Sequence, residues 1–308
     1  MQRVTLLAGG VGGAKMAEGF DALGNVDLSV IGNIADDAAF HGLWVSPDID
    51  TLTYSLAGRI DRTQGWGVAD ESHRALAVLG ELGNDTWMTL GDRDFGLHIY
   101  RTHALQQGQS RSEIAAHVAQ VFEVKARIIL PTDDVVQTRV RVAGGWLSFQ
   151  EYFVREQCCP EVLELDFEGI NNAHPTDAAL NAISTADLIV IAPSNPLVSI
   201  DPILNIPGIR AAIAAASAPK IAVSPLIDGK VVKGPADRMM KALGLRADAL
   251  GVAQHYGDLI DTMVIDHADA ALTGPINGLG ISAKCAQTLM KDLGDKSALA
   301  SAILARIR

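Results

Sequence analysis

Short apolar runs alternate with amphipathic segments along most of this chain. The apolar runs have the composition of buried strands: Val4–Ala8, Asp27–Ile31, Leu188–Ala192, Ile221–Ser224 and Met263–Ile265. The segments between them carry apolar residues at spacings of three and four, which is typical of helices: near Ala14–Leu23, Asp177–Ser184, Ile203–Ala215, Ala236–Leu243 and Ala298–Ile307. Because strands that alternate with helices build parallel sheets, this pattern predicts an α/β fold with a doubly wound, Rossmann-like, mostly parallel sheet.

The middle of the chain follows a different pattern. Two alternating runs, Thr138–Val142 and Trp146–Phe153, flank a glycine turn, which predicts an antiparallel hairpin. Helical periodicity precedes it near His73–Leu82 and Ser112–Phe122. We interpret residues 1–308 as a single α/β domain in which roughly residues 60–170 form an inserted cap subdomain of helices and a hairpin.

Composition narrows the possible partners and location. The chain has 308 residues, 48% of them hydrophobic, which is enough for a large core. A net charge of −11 disfavours a nucleic-acid partner, which requires a clustered basic surface. No apolar stretch has the length of a membrane span and the first residues do not resemble a signal peptide, so we expect no membrane partner and a cytoplasmic protein.

The first predicted strand runs directly into a glycine-rich turn. Gly10, Gly12 and Gly13 precede Lys15, and a turn of this kind presents backbone N–H groups that bind phosphate. The spacing fits neither the P-loop nor the dinucleotide fingerprint, but Lys15 would add a positive charge for a diphosphate. The segment predicts a nucleotide or another phosphorylated ligand; the alternative is a tight turn without one.

Four carboxylates follow the second predicted strand. Asp36 and Asp37 come first, and Asp48 and Asp50 follow after a short loop. Magnesium is commonly held by one or two carboxylates together with phosphate oxygens of the ligand, and ligands of open α/β sheets bind at the carboxyl ends of the strands. We predict Asp37 and Asp50 as metal ligands; the alternative is that these aspartates cap a helix or form a turn.

Three further segments carry candidate side chains. Asp92 and Arg93 lie in a glycine-bracketed segment, where Arg93 would clamp phosphate, although a surface ion-pair network is the alternative. Ser194 and Asn195 lie between prolines at a predicted strand end, where both can hydrogen-bond a ligand. Trp66 stands between two glycines and would either stack on a flat ring or pack as a loop aromatic.

Taken in order, the motifs resemble one known family. Seven motifs span nearly the whole chain: LLAGGVGGAK, NIADD, SPDIDT, GWG, LGDRD, APSNP and SPLIDGK. In this order they look like the 2-phospho-L-lactate transferase family of coenzyme F(420) biosynthesis. Two positions depart from the usual pattern of that family: Val11 stands where threonine is often found, and Ala35 replaces a glycine.

The resemblance implies a magnesium-dependent transferase. The deazaflavin Fo would attack the distal phosphorus of a guanosine diphosphate ester, GMP would leave, and Fo would become joined to phospholactate, phosphoenolpyruvate or phosphoglycerate. It also implies a homodimer. Carried onto this chain, it assigns the metal to Asp37 and Asp50, catalysis to Asp50 and Arg93, and substrate binding to a larger set: Gly10, Gly12, Gly13, Lys15, Asn33, Asp48, Asp92, Ser194 and Asn195.

Two other functions remain open on the sequence. A nucleotide-sugar-binding regulator of the related superfamily would share the glycine turn and an Asp-Asp segment, but would not be expected to carry both PDIDT and GDRD. An NAD-dependent dehydrogenase is suggested only by the strand–glycine–helix pattern, and the failed fingerprint disfavours it.

Overall fold

The computed structural model describes residues 1–306 and contains the predicted parallel sheet. The strands are β1 (Gln2–Ala8), β2 (Val26–Gly32), β3 (Ala38–Phe40), β4 (Leu43–Val45), β5 (Arg127–Ile129), β6 (Gln137–Val142), β7 (Gly145–Ser148), β8 (Glu164–Glu168), β9 (Leu188–Ile191), β10 (Lys220–Val223), β11 (Leu226–Ile227), β12 (Lys230–Val231), β13 (Thr262–Asp266) and β14 (Ser282–Ala286). Seven of them form the central sheet in the order β14-β13-β10-β9-β1-β2-β5, and every pair is parallel. The α/β fold class is therefore as predicted.

The helices connect these strands and cover the sheet. They are α1 (Gly10–Asp21), α2 (Pro47–Leu56), α3 (Arg74–Glu81), α4 (Asp92–Gln106), α5 (Arg111–Val121), α6 (Asp177–Ser184), α7 (Asp201–Leu204), α8 (Ile209–Ala215), α9 (Ala236–Ala242), α10 (Ala249–Tyr256), α11 (Thr273–Asn277) and α12 (Leu293–Leu304). Helix α1 packs against both α2 and α12, and α6 packs against α8. No single helix among residues 1–306 is long and apolar enough to cross a membrane. Two consecutive helical segments, Pro196–Leu204 and Ile209–Ala215, are together long and apolar enough by length and composition alone, but the chain bends by 82° between them.

The central strands are apolar without alternation because both of their faces are buried. All four residues of β9 are at most 1% exposed, and β1 is buried from Val4 onwards. Parallel strands covered on both faces give continuous apolar runs, which is why the sequence pattern predicted them well.

Several predicted boundaries were wrong for identifiable reasons. The helix predicted over Ile203–Ala215 is two helices, α7 and α8, because Pro207 lacks an N–H and Gly208 adopts a φ of +95°. The strand predicted to reach Phe153 ends at Ser148, and residues 151–155 form one turn of π-helix. Helix α12 begins earlier than predicted, and its predicted end at Ile307 lies outside the described residues.

The segment predicted as a cap contains helices α3 to α5 and a three-stranded antiparallel sheet in the order β7-β6-β8. Strands β6 and β7 form the predicted hairpin, with Val142 paired to Gly145. The same segment also supplies β5, which pairs with β2 at the edge of the central sheet. The limits of a cap at roughly residues 60–170 stay a prediction.

The glycine-rich segment forms the first turn of α1 itself. Gly9 is the N-cap, and Gly10 opens the helix with a φ of +60° and open space where a Cβ would project. A Cβ on Gly12 would lie 2.1 Å from the carbonyl oxygen of Pro193, which follows β9. The start of α1 therefore approaches the end of the neighbouring strand as closely as two backbones can.

We expect Gly12→Ala to lower the free energy of unfolding by roughly 1–3 kcal/mol, because the new methyl group meets backbone that cannot rotate away. Urea denaturation of the purified protein measures this. Gly144→Ala is the matched control, since a Cβ there has no neighbour within 4 Å and its φ is not positive. Equal losses in the two variants would contradict the close approach.

Candidate active site

A cleft of about 710 Å³ lies at the carboxyl ends of the central strands. From β1 the chain continues to β2 on one side, whereas β9 pairs with β1 on the other side, so the strand order reverses between β1 and β9. Open α/β sheets bind ligands at such reversal points. The glycine turn, the segment Pro193–Asn195 and the first turn of α2 all line this cleft.

Ser194 joins the ends of β1 and β9. Its hydroxyl accepts a hydrogen bond from the Gly9 N–H at 3.1 Å and donates one to the Gly9 carbonyl at 2.7 Å. Asn195 next to it caps the following turn by accepting from the Leu197 N–H at 3.0 Å. Both residues line the cleft, as predicted, but their side chains already serve the protein, and their contact with guanosine stays a prediction.

Asn33 links the two acidic segments. It is completely buried, its amide donates to Asp48 Oδ2 at 3.0 Å, and its side-chain oxygen accepts from the Ala35 N–H at 3.0 Å. Burial raises the pKa of Asp48 to about 6, and the bonds from Asn33 and the Gly10 N–H only partly offset that rise. Asn33 therefore positions Asp48 and does not itself line the cleft.

Asp36 is a buried carboxylate of the cleft wall whose pKa the hydrogen bond from Asn33 lowers only in part. It lines the cleft and is buried, and its Oδ1 atom has no hydrogen-bond partner within residues 1–306. Burial, and then the nearby charge of Asp48, raise its pKa well above the ordinary value. Asp36 and Asp48 form an acidic pair beside the glycine turn that a divalent cation would neutralise.

Asp37 does not line the cleft, although its Oδ1, like that of Asp36, has no hydrogen-bond partner within residues 1–306. It accepts from Ser46 Oγ at 2.8 Å and from Trp44 Nε1 at 3.2 Å, and the Arg111 guanidinium lies 3.8 Å away. Burial raises its pKa to about 7 although Arg111 lowers it. Of the two consecutive aspartates, Asp36 lines the cleft and Asp37 does not. We predicted Asp37 as a metal ligand, but its hydrogen bonds hold β4 against the start of α2.

Asp50 borders the cleft but is tied to a buried arginine. Arg101 donates to both of its carboxylate oxygens, at 3.1 Å from Nη1 to Oδ2, and the same Nη1 lies 3.2 Å from His98 Nδ1. An arginine can only donate, so Nδ1 of His98 accepts and the ring proton resides on Nε2. Burial lowers the pKa of His98 to about 4, which keeps the ring neutral.

Sequence reasoning missed Arg101 and gave His98 no role at the site. His98 follows Asp94 on α4 by four residues and Arg101 follows His98 by three, which places the three side chains on one helix face. That spacing was the available signal. Asp94 accepts from the Tyr54 hydroxyl at 2.8 Å, and burial raises its pKa to about 6.

Asp92 and Arg93 are not brought into the cleft. Asp92 caps α3 by accepting from the Ala75 N–H at 2.9 Å and from Ser72 Oγ at 2.5 Å. Arg93 is exposed and donates to the Ala69 carbonyl at 2.7 Å. Their predicted contacts with substrate therefore have no support in this geometry.

Basic side chains flank the glycine turn. Lys15 lines the cleft from the first turns of α1 and donates to the Met290 carbonyl at 2.9 Å, and burial lowers its pKa. Arg62 and Lys233 line the same cleft. Within residues 1–306 no three or more His, Cys, Asp or Glu side chains gather in the arrangement of an all-protein metal centre. A magnesium ion here would depend on phosphate oxygens of a ligand as well as on the acidic pair.

A family model described as 2-phospho-L-lactate transferase CofD matches residues 4–274. The chain belongs to this family. A protein of Kitasatospora aureofaciens named phosphoenolpyruvate transferase is 40% identical over 311 residues, covering 98% of this chain and 97% of that protein. A protein of Methanosarcina acetivorans named 2-phospho-L-lactate transferase is 36% identical over 286 residues, covering 92% of each. The predicted family and enzyme class are confirmed: this CofD family chain is a transferase.

Solved structures support the fold. A protein from Bacillus halodurans aligns with a TM-score of 0.66 and 16% identity, covering 98% of this chain and 99% of that chain. A second crystal structure, of a Bacillus halodurans protein of the upf0052 family, has a TM-score of 0.64 at 16% identity and covers 99% of this chain and 100% of that chain. At such identity the likeness concerns the α/β fold of the CofD family chain alone.

We expect the free energy of unfolding to rise as the pH falls from about 8 to about 5. Folding raises the pKa of Asp37 to about 7 and those of Asp48 and Asp94 to about 6, so the folded protein binds protons where an unfolded aspartate, with an ordinary pKa of 3.8, stays ionised. His98 opposes this effect. An unfolded histidine binds a proton near its ordinary pKa of 6.5, whereas burial lowers the pKa of His98 in the folded protein to about 4. The folded protein therefore gains more bound protons from the three aspartates than it loses at His98.

Urea denaturation at about pH 7.5, 6.5 and 5.5, without divalent cations, measures this dependence. Asp37→Asn removes one of the three groups and should flatten it. Asp85→Asn, at an exposed position without hydrogen-bond partners in the described chain, should leave it unchanged. A stability that fell steadily over the same range would contradict the raised pKa values.

Proposed function

We propose that this transferase moves a phosphorylated three-carbon acid from its guanosine diphosphate ester to the deazaflavin Fo, releasing GMP, in coenzyme F(420) biosynthesis. The observation that carries the proposal is the position of the buried acidic pair, Asp36 and Asp48, directly beside the glycine turn at the strand-order reversal. A phosphate-binding turn with a cation-binding pair suits transfer between phosphate esters. The names of the relatives support the same reaction class.

In this proposal the diphosphate of the donor lies on the first turn of α1. The N–H groups there have no partners inside the helix, and the positive end of the helix dipole favours an anion. Gly10 leaves open space for a phosphate to approach the backbone. Lys15 and Lys233, which both line the cleft, would then balance the phosphate charge.

The residues present fit magnesium. Asp36 and Asp48 would hold it, because both line the cleft, one oxygen of Asp36 lacks a partner, and the two carboxylates repel each other when both are ionised. Asp37 also has an oxygen without a partner in the described chain, but it does not line the cleft. When bound, the ion would neutralise charge on the transferring phosphate. Asp50 borders the same space, but Arg101 engages both of its oxygens, so we assign it to positioning His98 and α2 and no longer to the metal.

The chain's own groups serve the transfer by orientation and proton acceptance. The terminal hydroxyl of Fo attacks the distal phosphorus, the bond from that phosphorus to the bridging oxygen breaks, and GMP leaves with the electron pair. The hydroxyl proton passes to a cleft carboxylate. We assign this role to Asp94, which has a pKa of about 6 and lies on the cleft wall, because Arg101 already donates to both oxygens of Asp50.

The experiment combines purified protein, Mg²⁺ and Fo with each of three donors: the guanosine diphosphate esters of 2-phospholactate, phosphoenolpyruvate and 3-phosphoglycerate. We expect GMP release and one deazaflavin phosphodiester, both followed by mass spectrometry. The productive donor identifies the acid. Absence of product with all three donors, together with tight binding of a nucleotide sugar, would favour the regulator instead.

Asp36→Asn should lower kcat/KM roughly 100-fold, because the cleft then lacks one of the two ligands proposed for magnesium. The same variant should lose the rise in melting temperature that Mg²⁺ gives the wild type. Asp85→Asn controls for the removal of an exposed carboxylate. A variant with an unchanged response to Mg²⁺ would place the ion elsewhere.

We also propose a cytoplasmic homodimer, on the family resemblance. Sedimentation equilibrium of the purified chain tests the dimer, and a mass equal to one chain over the whole concentration range would contradict it.

A further inference from the structure

A tryptophan at the cleft has no role in the steps above, and it contacts Lys233, to which the proposed function gives a phosphate contact. Trp66 lines the cleft, yet its side chain is 47% exposed. It stands between Gly65 and Gly67, whose φ values of +81° and +71° give the loop a shape that other residues rarely adopt. Because the indole lines a cleft and is nearly half exposed, it offers an apolar ring face to a ligand bound there.

A cation covers the face of this indole. The Lys233 ammonium lies 3.6 Å from the ring centroid and also donates to the Gln64 carbonyl. Burial, and then the charge of Lys15, lower the pKa of Lys233, so the two ammonium groups already oppose each other near the glycine turn. A cation–π contact at a partly exposed site is weak and readily exchanged for a phosphate anion.

The loop that carries Trp66 is fixed to the phosphate-binding turn. Arg62 at its start forms an ion pair with Glu18 on α1, and Lys296 Nζ lies 2.5 Å from the same carboxylate. A Cβ on Gly65 would lie 3.2 Å from a methyl group of Val11, which is part of the glycine turn. Trp66 therefore stands beside the place where the donor's diphosphate would lie.

We propose that Lys233 leaves the Trp66 ring to bind donor phosphate, and that the freed indole face stacks on the planar heteroaromatic ring of a substrate. The inference rests on the proposed function, which supplies two such rings, the guanine of the donor and the deazaflavin of Fo. Either ring has the same stacking chemistry, and the experiment separates them. Phosphate binding and ring stacking are coupled through one lysine.

Binding of three probes to the purified full chain tests this without turnover: Fo by its fluorescence, and guanosine and GDP by calorimetry. Trp66→Leu should weaken either Fo or guanosine roughly 5- to 150-fold, the usual range for losing one stacked ring. Trp146→Leu removes an exposed tryptophan outside the cleft and should change neither affinity. Wild-type affinity of Trp66→Leu for both ring probes would overturn the inference.

Lys233→Ala tests the coupling. It should weaken GDP, because a phosphate contact is lost, and strengthen whichever uncharged ring probe Trp66 binds, because the covering cation is gone. Lys230→Ala removes an exposed lysine of β12 outside the cleft and should do neither. A Lys233→Ala protein that binds the ring probe no better than wild type would overturn the exchange of partners.

The two proposals fail in different ways. If the wild type binds Fo and GDP but Trp66→Leu binds them equally well, this inference is wrong and the proposed function stands. If the wild type binds none of the three probes while retaining a cooperative melting transition, the proposed function is wrong and this inference falls with it.

Discussion

The contact between the first turn of α1 and the end of β9 is the constraint on which the site depends. Ser194 makes two hydrogen bonds to the backbone of Gly9, and Gly12 touches the Pro193 carbonyl so closely that no side chain fits. This contact fixes the direction of α1 and therefore the direction of its free N–H groups. Glycine is required here first for packing, while Gly10, which faces open space, leaves room for an anion.

Around this contact the protein gathers more carboxyl groups than buried basic groups. Five carboxylates lie in or beside the cleft: Asp36, Asp37, Asp48, Asp50 and Asp94. The described structure sets only two buried arginines against them, Arg101 and Arg111. Burying ions is costly unless they are paired, so this excess of carboxylates lowers the stability of the fold. A magnesium–phosphate ligand that neutralises it would recover part of that cost on binding.

The sequence predicted those parts of the fold whose signal is local and repeated. Each of three central strands is a continuous apolar run, so the sequence predicted β1, β2 and β9. Pro207 and Gly208 also indicate the break between α7 and α8, but the prediction did not use them. Strands of two or three residues, such as β3 and β11, are too short to carry a period. They exist because neighbouring chain supplies their hydrogen bonds, which a local pattern does not record.

The site was predictable only to the level of segments. The motifs correctly indicated that the acidic segments and the glycine turn gather at one sheet edge, since both follow strands of a parallel sheet. The direction of each side chain depends on turn geometry instead. Arg93 and Asp94 are neighbours, yet one faces solvent and the other the cleft, because the start of α4 rotates them about 100° apart.

In the turn between Asn33 and Asp37, local hydrogen bonds decide which side chain faces the cleft. The Asn33 side chain accepts from the Ala35 N–H and the Asp37 N–H donates to the Ile34 carbonyl at 3.1 Å, so the turn closes on itself. The φ of Ala35 in this turn is not positive, so the backbone tolerates its methyl group. Because the amide of Asn33 also donates to Asp48, one buried side chain shapes the turn that directs Asp36 into the cleft and holds its partner there. The acidic pair is thus built by a residue that does not itself line the cleft.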